Sequence, residues 1–146
     1  MDILLVGADP ELIEQLGRAA MARNHALEAW PTPDAALEAH QRRPFDFIAL
    51  VCSPATQGSI DGFEFCRRVR ALPDGDLVHL LVMMPNGCAD RAQEGLAAGA
   101  SSCVLLPATP TELELRVRVA EWRVAEYAAR AEIGRASCWE RVCYVV

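Results

Sequence analysis

The side chains able to act as nucleophiles, bases or metal ligands are few, and their spacing gives them little to do together. The six cysteines, Cys52, Cys66, Cys88, Cys103, Cys138 and Cys143, form no C-x-x-C pair, and no Cys/His group has zinc spacing. A catalytic thiol needs a neighbouring base. His25, His40 and His79 fall at the edges of expected elements, with nothing in the sequence to bring them to one thiol. Cys52, Cys66 and Cys103 therefore read as small buried hydrophobes of a reducing cytosol. Every basic side chain other than histidine is arginine. The absence of lysine excludes a P-loop lysine, a Schiff base and a lysine reaching for a phosphoryl group. Of the carboxylates, Asp9 precedes Pro10 and Asp61 precedes Gly62, so both read as helix N-caps. Asp46 lies at the wrong end of its strand to share a site with them.

The elements that would position such groups are legible as alternating apolar runs and helical patterns. Ile3-Leu4-Leu5-Val6 is a continuous apolar run, as expected of a parallel strand buried on both faces. Pro10 opens a helix with Leu12, Ile13, Leu16, Ala19 and Ala20 at helical spacing. A strand is expected over Ala26 to Trp30, a helix over Ala35 to Gln41, and a third strand over Phe45 to Val51. The stretch Ser53 to Ile60 reads as a loop. A helix follows over Phe63 to Ala71, then a strand over Val78 to Met83, a turn at Pro85-Asn86-Gly87, a helix over Ala89 to Ala98 ended by Gly99, and a fifth strand over Ser102 to Leu105. Thr109-Pro110-Thr111-Glu112 is a capping box, and its helix is expected to reach about Ala131. That helix would be on the order of 35 Å long, more than a small sheet needs. Leu113, Val117, Ala120, Val124, Tyr127 and Ala131 repeat by four and three, the spacing of a coiled-coil seam.

A chain of 146 residues with 52% hydrophobic and 23% charged residues allows one globular domain. Its net charge of -6 argues against a nucleic-acid face. No apolar run approaches the roughly 20 residues that cross a bilayer, so no membrane segment is expected. The opening Met-Asp-Ile-Leu-Leu-Val lacks the basic start of a signal peptide, and the expected compartment is the cytoplasm.

Five strand-helix units in this space predict an α/β fold: a flavodoxin-like, doubly wound, five-stranded parallel sheet of order 2-1-3-4-5 with a long C-terminal helix. Within that class, residues 1–123 resemble a bacterial response-regulator receiver domain. The resemblance is carried by Ile3 to Val6, by Asp46 to Leu50, and by Asp61-Gly62-Phe63-Glu64 followed by Cys66 to Arg70. Gly95 to Ala100 and Leu106-Pro107 followed by Thr111-Glu112-Leu113 complete it. It implies a cis Leu106-Pro107 bond. The family moves a phosphoryl group from a kinase histidine to an aspartate. That chemistry needs a carboxylate at the end of the third strand and acids after the first strand to hold a hard cation. It also needs a hydroxyl after the fourth strand and a lysine after the fifth.

This chain departs at each of those positions. Gly7 and Ala8 stand where the acidic pair is expected, Val51 at the phospho-acceptor and Met84 (or Met83) at the hydroxyl. Leu106 replaces the lysine, and Cys103 replaces the usual aromatic switch residue. The resemblance thus implies a pseudo-receiver: a signalling module of two-component or phosphorelay type, not an enzyme, holding no metal or cofactor. It would act through protein partners or further domains of its own chain, with a homodimer through the last helix as one arrangement. Two alternatives stay open. One is a phosphorelay receiver with a displaced acceptor at Asp61 or Asp46; Ser53, near the old acceptor position, has nothing nearby to activate it. The other is a small-ligand binder using an apolar pocket at Val51, Met83, Met84 and Leu106. Residues 109–131 read as a last helix extending as a linker. Residues 132–146 read as a disordered or artefactual tail, because Glu132 to Val142 resembles a translated sequencing adapter with Trp139 in place of arginine. The natural chain is then expected to continue beyond about Ala131.

Overall fold

A computed structural model describes residues 1–52, 60–85 and 89–145, with side chains left aside at 89 and over 132–145. Ser53, Asn86, Gly87, Cys88 and the side chains of Cys138, Trp139 and Cys143 lie outside the described residues. The elements alternate as β1 (Asp2–Val6), α1 (Pro10–Ala22), β2 (Ala26–Trp30), α2 (Pro33–Arg42), β3 (Phe47–Val51) and α3 (Gly62–Ala71). After them come β4 (His79–Pro85), α4 (Ala92–Ala97), β5 (Ser102–Leu106) and α5 (Pro110–Val145), with short 3-10 turns at Gly75–Leu77 and Ala89–Arg91. All strand pairs are parallel, and the sheet order is β2-β1-β3-β4-β5. This is the doubly wound arrangement that the pattern of apolar runs predicts.

Each central strand feeds two cores. Leu4, Val6, Ile48, Leu50, Leu80, Val82 and Met84 point to one face and pack with α2 and α3. Ile3, Leu5, Phe47, Ala49, Leu81 and Met83 point to the other and meet Leu12 and Leu16 of α1 and Leu113, Val117 and Ala120 of α5. A side chain of this size stabilises by about 1.5–3 kcal/mol when fully buried, and the alternation serves both faces with one short strand. Helix starts follow their caps. Asp9 Oδ1 accepts from the Glu11 N–H at 3.0 Å, Asp61 Oδ1 from Glu64 at 2.7 Å and Thr109 Oγ1 from Glu112 at 3.1 Å. The helix expected over Ala89 to Ala98 is shorter, because residues 89–91 form a 3-10 turn before α4. The last helix is longer, running past Ala131 to Val145; no proline interrupts that stretch.

Two polar ties fix the helices to the sheet. At its amino end, the half-buried Arg70 guanidinium donates to the carbonyls of Gly99 (2.8 Å), Gly75 (2.6 Å) and Val78 (2.6 Å) and to Ser101 Oγ (3.0 Å). Ser101 Oγ also accepts from the Leu80 N–H at 3.0 Å. One side chain thus joins α3, the turn before β4 and the turn into β5, and through Ser101 it reaches β4. Burial lowers the Arg70 pKa, and its donors meet carbonyls rather than a carboxylate. The second tie holds α5 to α1 and the chain start. Arg23 Nε and Nη2 grip the Glu121 carboxylate, the latter at 2.7 Å, and His25 Nε2 lies 2.6 Å from Glu121 Oε1. The amino terminus lies 3.0 Å from His25 Nδ1, so the imidazole accepts there and donates from Nε2 to Glu121. The hydrogen bond from Arg23 leads in holding the Glu121 carboxyl at about 2.

Replacing Arg70 leaves three carbonyls without their donor. Arg70→Met is expected to destabilise by about 3 kcal/mol, read as a lower urea midpoint at unchanged slope. An Arg70→Met midpoint equal to wild type would show the tie to be idle.

Candidate functional site: the carboxyl edge of the sheet

An open parallel sheet offers its chemistry at the carboxyl ends of the strands, because its faces are covered. The strand register brings the expected positions together. Val6 lies opposite Leu50, Val51 opposite Met83, Met84 opposite Leu105 and Pro85 opposite Leu106. Gly7 leaves β1 at φ +154°, a conformation side chains rarely adopt. Its N–H donates to the Trp30 carbonyl at 2.9 Å, so the chain is still held at this point. A Cβ at Gly7 would sit 3.0 Å from Val51 Cγ2 and 3.2 Å from Val51 Cβ. The valine therefore packs on the bare glycine backbone, and a side chain at Gly7 would have to displace it.

The neighbours complete an apolar edge. Met83 is fully buried and Met84 is 2% exposed. Val51 and Leu106 are half-buried against the α1/α5 core together with Ile13 and Ala108. Ala8 is exposed. The Leu106–Pro107 peptide bond is cis. Cys103 is half-buried on the opposite face beside Phe63 and Gly95, and its Sγ lies 3.7 Å from the Ala92 carbonyl. The positions matched to the acid pair, acceptor, hydroxyl and lysine are thus gathered at one edge, and they present carbon and sulfur.

The carboxylates singled out in the sequence are engaged in backbone hydrogen bonds. Asp9 and Asp61 cap α1 and α3. Asp46 Oδ2 accepts from the Asp2 N–H at 3.0 Å, at the amino end of the sheet. The three described thiols are held neutral. Burial pushes Cys52 up to about 11 and Cys66 up to about 12, and it raises Cys103. Cys52 Sγ lies so close to Gly62 that any Cβ there would overlap it. Among the described residues, no group of three His, Cys, Asp or Glu side chains could hold a metal ion, and no helix is long and apolar enough to cross a membrane.

The most perturbed histidine lies away from the edge and carries no motif. His79, 3% exposed at the start of β4, meets the Phe47 ring edge-on at 5.5 Å. Its pKa falls to about 4, first through burial and then through the positive field of Arg123, Arg70 and Arg116. Its Nδ1, Ser102 Oγ and Arg116 Nε are buried with no protein partner. This environment has no local signature: the arginines whose field reaches His79 come from α3 and α5, and only the position of His79 at an element edge hinted at it.

No protein-family model matches the chain. An uncharacterised 14.6 kDa protein from Leptolyngbya boryana is 27% identical over 113 residues, 77% of this chain and 84% of its own. Among solved structures, the chemotaxis response regulator CheY4 of Vibrio cholerae superposes with a TM-score of 0.72 at 21% identity, over 82% of this chain and 97% of its own. The BeF3-activated N-terminal receiver domain of Klebsiella pneumoniae RstA superposes with a TM-score of 0.70 at 23% identity, over 82% and 97%. The chain has the fold of a response-regulator receiver domain.

Because His79 is held neutral in the folded state, the unfolded chain binds the extra proton between its ordinary 6.5 and about 4. Stability is therefore expected to fall as pH drops through that window. His79→Leu should flatten the decline in urea midpoint between about pH 7 and about pH 4 relative to wild type; parallel profiles would refute the assignment.

Proposed function

We propose that the chain is a receiver-like signalling module that works by protein-protein contact without phosphorylation. The observation that carries this reading is the packing of Val51 on Gly7 at the edge where the fold's acceptor and metal ligands would stand. A phosphoryl group needs a carboxylate oxygen to attack it and a cation to neutralise its charge. Here the strand ends supply a valine, two methionines, a leucine and a glycine. Burial of Met83 and Met84, two of the four residues of the apolar pocket, disfavours the small-ligand reading. The displaced-acceptor reading gains nothing from Asp61 or Asp46, whose oxygens satisfy backbone N–H groups.

Signal transmission is assigned to α5. Leu113, Val117 and Ala120 are fully buried on the sheet, and half-buried Val124, Tyr127 and Ala131 continue the same stripe. A partner, a further domain or a second copy gripping that continuation would be coupled rigidly to the domain. We also assign the module to the cytoplasm, and we assign residues 132–146 to a foreign, adapter-derived tail, which sequencing of the source locus through codon 131 would test.

Exposure of the purified protein to acetyl phosphate and Mg²⁺ is the direct test. No phosphoryl mass increase is expected, and fluoroberyllate with Mg²⁺ should leave amide chemical shifts at Val51 and Met84 unmoved. A hydroxylamine-labile adduct would sink the reading, and its loss in Asp61→Asn would pass the role to a displaced acceptor.

A further inference from the structure

We draw no further inference here: the strongest candidate, the buried and unpartnered side-chain atoms His79 Nδ1, Ser102 Oγ and Arg116 Nε of β4, β5 and α5, carries nothing, because Arg116 already meets Glu112 at 3.6 Å and nothing in the structure shows a ligand that would reach them.

Discussion

Coverage of both faces of the sheet is the constraint from which most of this structure follows. Ile3, Leu4, Leu5 and Val6 are at most 1% exposed, and so are Phe47 to Leu50 and Leu80 to Met83. A strand placed between two helical layers has no face on which to carry a charge or a ligand. Any chemistry must then gather at the strand ends. At the carboxyl end, Val51 lies against Gly7 and the methionines of β4 are buried. The space that polar catalytic groups would need has become an extension of the core, and the low-dielectric interior reaches the rim of the sheet.

Polar interactions are concentrated at the other end and around the last helix. Arg70 has no carboxylate within its set of acceptors; the carbonyls of Gly75, Val78 and Gly99 take its hydrogens. The arrangement suits a charge that burial penalises, because fixed carbonyl dipoles replace water without adding a second ion to desolvate. Gly99 and Gly75 belong to the same tie. A side chain at Gly99 would meet Arg70 Cγ at 2.7 Å, and one at Gly75 would strike the end of α3. On the α1/α5 side, Glu121 is shared between Arg23 and His25, so the start of the chain, α1 and α5 meet at one carboxylate. The orientation of α5 depends on that contact and on Leu113, Val117 and Ala120.

Among the described residues, Val124, Tyr127 and Ala131 continue the α5 stripe half-buried, and β2 pairs only with β1. The two lie far apart in the fold's logic: one prolongs a helix that is already packed, the other offers unpaired backbone. His79 titrates only in acid, and the described thiols sit above the physiological range.

The fold was legible because its determinants are local and periodic. Apolar runs of strand length, capping residues at Asp9, Asp61 and Thr109, and the Gly99 stop define the order of elements, and right-handed crossovers allow few topologies for that order. The absence of acids, hydroxyls and lysine at the strand ends was also readable, since it depends only on which residue occupies each position. Boundaries shifted where tertiary contacts or composition decide them: residues 89–91 form a 3-10 turn, and α5 continues past Ala131. What the sequence could not supply is convergence in space. That Val51 rests on Gly7, that Arg70 gathers carbonyls from Gly75, Val78 and Gly99, and that the field of three arginines reaches His79 are consequences of packing. Residue type and period determine which surfaces are buried; only the closed fold determines which distant groups meet, because burial and electrostatic field are properties of neighbours that the chain places together from afar.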